Sequence, residues 1–131
     1  MSQWLRRRYD VCIIALLAYI PLLLSAPGKL PADTKLYLYL NPGRLLSDAA
    51  WTWDTGQLGG WVPHQNVGYL WPTGPWFAFF EWLNVPDWIA HRLWLGSLLI
   101  IAGLGARWLA KILDLPVNSA FIAGIAFQLT P

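Results

Sequence analysis

Asp33 is the acidic residue whose position suggests chemistry, because it follows the first long apolar run of the chain by seven residues. If that run lies in a bilayer, the carboxylate stands at the membrane boundary, beside the phosphate and sugar of any polyprenyl-linked donor. A carboxylate there could act as a general base, removing the proton of an acceptor hydroxyl that attacks the anomeric carbon. A solvated surface aspartate and a helix cap are the alternative interpretations.

Four basic residues could bind the phosphate of such a donor: Lys35, Arg44, His64 and Arg92. Arg offers a planar fork of N–H donors and Lys a compact charge, whereas His can donate or accept near neutral pH. Each also has a structural interpretation. Lys35 and Arg44 can anchor to lipid headgroups, and Arg92 can reach from a membrane helix to the membrane surface.

Metal, nucleotide and nucleic-acid sites have no motif in this sequence. His64 and His91 lie 27 positions apart, and Asp48 and Asp54 form no dense oxygen cluster. There is no P-loop, GxGxxG or nucleophile elbow. The net charge of +2 comes mainly from one Arg triplet and gives no nucleic-acid footprint. We therefore predict no metal ligands and no nucleic-acid partner.

The composition indicates that membrane helices position these residues. Hydrophobic residues make up 56% of the chain and charged residues only 12%, whereas soluble domains are about 25% charged. Seven of the ten Trp lie between Trp51 and Trp88. This Trp cluster has two interpretations, a sugar-binding surface or an interface belt that also forms the core of the loop.

We predict an all-α integral membrane protein with two full spans and the start of a third. The spans are residues 11–27, 86–111 and 117–131, the last being too short to cross a bilayer. A cleaved signal peptide is disfavoured for the first span, because Leu24 stands where a cleavage site needs a small residue. In the second span, Gly96, Gly103 and Gly105 are predicted to allow close helix contacts.

The distribution of basic residues predicts the orientation. Arg6 to Arg8, Arg107 and Lys111 all fall on one side if the N-terminus is cytoplasmic. Residues 1–10 and the turn 112–116 are then cytoplasmic, and residues 28–85 form a long ordered external loop.

The external loop is predicted to contain interfacial helices. A turn at Asn41-Pro42-Gly43 precedes a short helix from Arg44 to Trp53, and an aromatic helix runs from about Trp76 to Leu83 in the interface plane. The alternating segment 35–40 predicts a strand, or a short helix capped by Asp33.

Three segments of the loop and second span are unusual in composition: ADTKLYLYLNPGRLLSDAAWTWD, GGWVPHQNVGYLWPTGPWF and VPDWIAHRLWLG. Together they resemble the amino-terminal region of the actinobacterial cell-wall alpha-(1→3)-arabinofuranosyltransferases. These are polyprenyl-phosphate-dependent membrane glycosyltransferases of the GT-C type. The resemblance extends from about Arg8 to Pro131 and implies the N-terminal portion of a multi-span GT-C fold in the plasma membrane.

The resemblance also implies a reaction. Arabinofuranose would pass from decaprenyl-phosphoryl arabinose to the arabinan of arabinogalactan and lipoarabinomannan, with metal dependence left open. A beta-linked donor and an alpha-linked product imply inversion by a single displacement with one carboxylate base. By position, Asp33 matches the family's acidic residue of the first external loop. Lys35, His64 and Gln65 become candidate donor or acceptor contacts, and Arg44 remains a candidate substrate contact.

A chain of 131 residues cannot enclose a donor cavity between helices. We therefore expect it to be the opening part of a larger enzyme, inactive alone, that meets membrane lipid, the sugar donor, an arabinan acceptor and the remaining spans. The alternative is a non-enzymatic membrane-anchored subunit whose Trp-rich loop docks a partner protein. A transporter is disfavoured, because no charged residue lies in the core of a predicted span.

Overall fold

The computed structural model describes residues 3–31, 40–48, 51, 53, 55, 59–60 and 71–130. Within these residues the regular structure is entirely helical, which confirms the all-α prediction for this part of the chain. The five helices are α1 (Gln3–Leu24), α2 (Pro42–Asp48), α3 (Thr73–Trp82), α4 (Asp87–Ile112) and α5 (Val117–Leu129). The chain forms two compact units, residues 28–91 and a helical unit of residues 1–27 with 92–131.

One described helix, α4, is long and apolar enough to cross a membrane, judged by length and composition. Only 22% of its apolar window is buried within the chain, so most of its apolar surface is left uncovered. The apolar parts of α1, Tyr9–Leu24, and of α5 are shorter. The helix α1 begins at Gln3, eight residues before the predicted first span.

In the helical unit, α1 and α4 run antiparallel, as three contacts between them show. Asp10 pairs with Arg107 at one end, and the side chain of Arg92 donates to the Ser25 carbonyl at the other. Between these two contacts, the ring of Tyr19 lies directly on Gly96. A side chain at Gly96 would displace that ring, which confirms the predicted close contact at this glycine.

Gly103 and Gly124 bring α4 and α5 together. A Cβ on Gly103 would lie 3.1 Å from Gln128 Oε1 and 3.2 Å from a methyl carbon of Ile14, which is fully buried. The predicted close contact at Gly103 is therefore confirmed. At Gly105, a Cβ would meet no atom of the described residues within 4 Å, so the predicted close contact is not found within this part of the chain. Residues two positions apart in a helix lie on nearly opposite sides of it. Only one of Gly103 and Gly105 can therefore face α5.

Gln128 joins α5 to α1. Its side-chain Nε2 donates to the main-chain carbonyl of Ile14 at 3.0 Å, and the residue is only 3% exposed. An amide in such a setting must find a hydrogen-bond partner or lose the free energy of its hydration. This bond therefore fixes the position of α5 against α1.

The turns after α3 and α4 share one design. Asn84 and Asp114 have positive φ, and the amides that follow them, of Val85 and Leu115, donate to carbonyls five residues earlier. This is the Schellman arrangement, and a proline follows it in both turns. The sequences LNVP and LDLP mark these two turns.

In the second unit, α2 packs against α3. Leu46 lies so close to Gly74 that a Cβ on the glycine would be 2.9 Å from Leu46 Cδ2. The aromatic helix is confirmed, although it begins at Thr73 rather than near Trp76. Trp76 donates from Nε1 to the carbonyl of Ala90 at 3.1 Å, which joins α3 to the start of α4.

The prediction of a helix from Arg44 to Trp53 is wrong in both bounds. The helix begins at Pro42 and ends at Asp48, and Trp51 and Trp53 are not helical. Asn41 and Pro42, predicted to form a turn, start the helix instead. Their types suit both roles, because Asn is a good N-cap and Pro a good first helical residue.

Candidate functional site

Four of the predicted site residues, Asp33, Lys35, His64 and Gln65, lie outside the described residues. Their roles stay predictions. Arg44 is described, and it leads to a site that its own helix and the following segment build.

Arg44 is held at the first turn of α2 by its neighbours. The side-chain oxygen of Asn41 accepts from the Arg44 amide at 2.9 Å, as an N-cap does for the third helical residue. One turn later the guanidinium reaches Asp48, with 3.3 Å between Nε and Oδ2. The side chains are 66% and 46% exposed, so this pair adds at most about 1 kcal/mol to stability.

The carboxylate of Asp48 lies beside a second polar group. The hydroxyl oxygen of Ser47 is 3.3 Å from Asp48 Oδ1, but its single proton has a shorter acceptor in the Arg44 carbonyl, at 2.8 Å. The guanidinium of Arg44 therefore orients the carboxylate and balances its charge. Oriented this way, it can accept further hydrogen bonds from a ligand.

Asp48 opens onto a cleft of about 350 Å³, which we call the tryptophan cleft. Its described lining consists of Asp48, Trp51, Trp53 and Thr55. Ligand pockets commonly measure roughly 300–1,000 Å³, so the cleft has room for a small ligand. The Trp51 amide donates to the carbonyl of Asp48, the last residue of α2, at 3.0 Å.

Gly60 supports one wall of the tryptophan cleft. The indole of Trp53 lies against its backbone so closely that a Cβ on Gly60 would meet ring atoms at 2.3 Å. Gly60 also has a φ of 108°, a value that residues with a side chain rarely adopt. The glycine therefore allows the indole to lie against the main chain, and Trp53 still keeps 54% of its surface exposed.

A metal centre is not formed by the part of the chain that the structure describes, which holds no group of three potential ligands among His, Cys, Asp and Glu. Asp54, which the sequence places near Asp48, lies outside that part. The chemistry available at the tryptophan cleft is that of an oriented carboxylate, a hydroxyl group and two indole faces.

The side chain of Arg92 makes its hydrogen bond within the helical unit. The residue is 8% exposed, and its side chain donates to the Ser25 carbonyl at 3.3 Å, just beyond the end of α1. A cation at the carboxyl end of a helix is favourable for the helix dipole. Arg92 therefore stabilises the exit of α1, a role that neither the phosphate nor the headgroup interpretation predicted.

Sequence reasoning did not identify the tryptophan cleft as a site. The sequence shows Asp48 as a carboxylate and Trp51 and Trp53 as part of a Trp cluster, but its pattern predicts a helix that includes Trp53. The useful signal was the spacing of the two Trp with one residue between them, followed by the Gly59-Gly60 pair. The contact between Gly60 and Trp53 depends on chain folding, which the spacing does not give.

Comparisons with known proteins agree on one family. A family model described as alpha-(1→3)-arabinofuranosyltransferase, N-terminal GT-C domain, matches residues 17–131. Proteins named alpha-(1→3)-arabinofuranosyltransferase from Mycobacterium tuberculosis and Mycolicibacterium smegmatis are each 36% identical over 108 residues. Each match covers 82% of this chain and 8% of the relative, so the chain spans about a twelfth of the length of these proteins.

Solved structures show the same relationship. Two cryo-EM classes of a mutant of the arabinofuranosyltransferase AftD from mycobacteria match with a TM-score of 0.86 and 32% sequence identity. The match covers 95% of this chain and 10% of the solved chain. The helices described above therefore have the arrangement found in part of a much longer protein.

Proposed function

Because the chain belongs to the family of alpha-(1→3)-arabinofuranosyltransferases with an N-terminal GT-C domain, we propose that its complete protein transfers arabinofuranose to an arabinan acceptor. The family match over residues 17–131 is the observation that carries this proposal. The linkage formed is alpha-(1→3), the donor is decaprenyl-phosphoryl arabinose, and the acceptor is the arabinan of the cell wall. The chain supplies the base and part of the substrate contacts, and the rest of the protein completes the site.

The proposed reaction is a single displacement at the anomeric carbon. The acceptor hydroxyl gives its proton to Asp33 while its oxygen bonds to C1 of arabinose. The bond from C1 to the phosphate oxygen breaks on the opposite face, and decaprenyl phosphate leaves with the electron pair. A beta donor thus gives an alpha product, and one carboxylate is enough for the base.

Substrate binding is divided among the polar residues of the external loop. Lys35, His64 and Gln65 are proposed as contacts to the donor or acceptor. Arg44 is also a substrate contact, but its charge is balanced by Asp48 at 3.3 Å. A second anion, such as the donor phosphate, is therefore less favourable at Arg44 than at Lys35.

The proposed location is the plasma membrane, with a cytoplasmic N-terminus and the loop outside. The length and apolar composition of α4 support this, as does its mostly uncovered surface. Its lipid surroundings would hold the polyprenyl tail of the donor, while the sugar phosphate lies at the level of the external loop.

The test is the substitution Asp33→Asn in the complete protein, assayed with decaprenyl-phosphoryl arabinose and an arabinan oligosaccharide. We expect kcat to fall by about 100-fold or more, the usual size of a general-base contribution. Asp114→Asn is the matched control, because Asp114 is an exposed turn residue whose φ of 58° suits Asn equally well. Transfer at the normal rate by the Asp33 variant, at equal protein level, would rule out Asp33 as the base.

The second candidate function is docking of a partner protein by the Trp-rich loop. The exposure of Trp71 and Trp82, at 77% and 75%, favours it, because exposed Trp is typical of protein contacts. A complex that survives purification and depends on these two residues, from a protein that neither binds nor uses the donor, would support docking over transfer.

A further inference from the structure

We propose that the tryptophan cleft is a subsite for an arabinofuranosyl residue of the acceptor chain. This inference rests on the proposed function and adds the place where the acceptor, rather than the lipid-linked donor, is held. Its residues are the described lining, Asp48, Trp51, Trp53 and Thr55, with Gly60 behind Trp53.

The two indoles give the cleft the surface that sugars stack on. The C–H groups of a furanose ring carry partial positive charge and are attracted to the electron-rich face of an aromatic ring. Trp51 and Trp53 are 72% and 54% exposed although both line the cleft, so ring surface remains for a ligand. Because Gly60 supports the indole of Trp53, this ring needs little further ordering when a sugar binds.

Asp48 gives the cleft its hydrogen-bonding end. Its carboxylate accepts from the guanidinium of Arg44 at 3.3 Å, and its oxygens have further lone pairs for sugar hydroxyl groups. Hydrogen bonds to a charged acceptor are stronger than those between neutral groups. The hydroxyl of Thr55, at the lining of the same cleft, can donate or accept.

Charge balance among the described residues of the cleft favours a neutral ligand. The guanidinium of Arg44 and the carboxylate of Asp48 offset one another, so these two residues give an anion or a cation no net attraction. A neutral chain with many hydroxyl groups needs no net charge at the site and can use both the indoles and the carboxylate, as the arabinan acceptor would.

Alanine substitutions of the two indoles in the complete protein test the subsite. With decaprenyl-phosphoryl arabinose and a synthetic arabinofuranosyl oligosaccharide, we expect Trp51→Ala and Trp53→Ala each to raise the acceptor KM about tenfold, the size of a lost aromatic contact. The donor KM should not change. Trp82→Ala is the matched control, since Trp82 is 75% exposed and does not line the cleft.

Gly60→Ala provides a second variant. Its methyl group meets the Trp53 ring and its φ of 108° strains the backbone, so the indole loses its support without being deleted. We expect the same rise in acceptor KM. Binding of the oligosaccharide alone, measured by calorimetry, separates the subsite from catalysis: wild-type protein should bind it and Trp53→Ala should bind it about tenfold more weakly.

The outcomes distinguish the two proposals. An active enzyme whose cleft variants keep the wild-type acceptor KM and oligosaccharide affinity would overturn the subsite and leave the proposed function intact. A wild-type protein without transferase activity would overturn the proposed function. The binding measurement needs no donor, so it would still test whether the cleft binds the oligosaccharide. Equal affinities of wild-type protein and Trp53→Ala would rule out the subsite.

Discussion

Gly124 faces the main-chain oxygen of Gly103 so closely that a methyl group on Gly124 would lie 2.7 Å from that oxygen. The same methyl would lie 3.0 Å from Cβ of Arg107. A backbone oxygen cannot rotate away as a side chain does, so any residue larger than glycine must push α5 from α4. Small residues at such crossings allow close packing of helices without a hydrophobic driving force.

Gly124→Ala should therefore destabilise the pairing of α4 with α5. We expect a loss of about 1–3 kcal/mol, the usual cost of an overpacked contact, seen as amide hydrogen exchange in Val117–Leu129 that is about tenfold faster or more. The measurement is exchange followed by mass spectrometry on the complete protein in detergent.

Gly105→Ala is the matched control, because a Cβ there meets no atom of the described residues within 4 Å. It replaces a helical glycine by the better helix former, a gain of about 1 kcal/mol, so exchange in α4 should slow or stay unchanged. Equal exchange rates of the Val117–Leu129 amides in Gly124→Ala and Gly105→Ala would contradict the close helix crossing at Gly124.

The ion pair of Asp10 with Arg107 is shorter and more buried than that of Arg44 with Asp48. The Arg107 Nη2 to Asp10 Oδ2 distance is 2.7 Å, and the side chains are 10% and 15% exposed. Removing one partner leaves the other charge buried without its counter-ion, which costs about 3–5 kcal/mol.

We expect Arg107→Ala to lower the thermal unfolding midpoint of the complete protein in detergent. The double variant Asp10→Asn with Arg107→Met should recover much of that loss, because no uncompensated charge remains. Arg44→Ala, at the exposed pair, should cost less than about 1 kcal/mol. A midpoint as low in the double variant as in Arg107→Ala would show that the charges do not act as a pair.

Trp76 ties α3 to the start of α4 through one hydrogen bond. Trp76→Phe keeps an aromatic ring beside Phe80, whose centroid lies 4.9 Å away, and removes the donor to the Ala90 carbonyl. We expect a cost of about 0.5–1.5 kcal/mol, measured as faster hydrogen exchange in Thr73–Trp82. Trp82→Phe, at an exposed position, should change exchange little, and equal effects of both variants would argue against the bond.

Local sequence patterns predicted the helices better than the contacts between them. Pro86 and Asp87 indicated the start of α4 because a helix N-terminus favours both types. Asn41 and Pro42 suit a turn and a helix start equally, so the sequence does not determine where α2 begins. Close packing at Gly103 but not Gly105 depends on which side of α4 meets α5, and this is a tertiary property.

The tryptophan cleft shows the same limit at the level of the site. Asp48 and Trp51 are three residues apart in the sequence. They lie close together because α2 ends at Asp48 and Trp51 follows it. The support of Trp53 by Gly60 joins positions seven residues apart, and no periodicity encodes it. The partners of Gln128 and Arg107 lie more than ninety positions away, so only the folded helical unit could reveal them.

The ends of α4 allow a direct test of the proposed orientation. Leu83 precedes α4 and Leu113 follows it, and both are exposed. With the single Cys of the chain and all others of the complete protein replaced by Ala, Leu83→Cys and Leu113→Cys place one thiol at each end. We expect a membrane-impermeant maleimide to label Leu83→Cys in intact cells, and Leu113→Cys only after the membrane is permeabilised. Labelling of both in intact cells would show that α4 does not cross the membrane, and the reverse pattern would place the external loop in the cytoplasm.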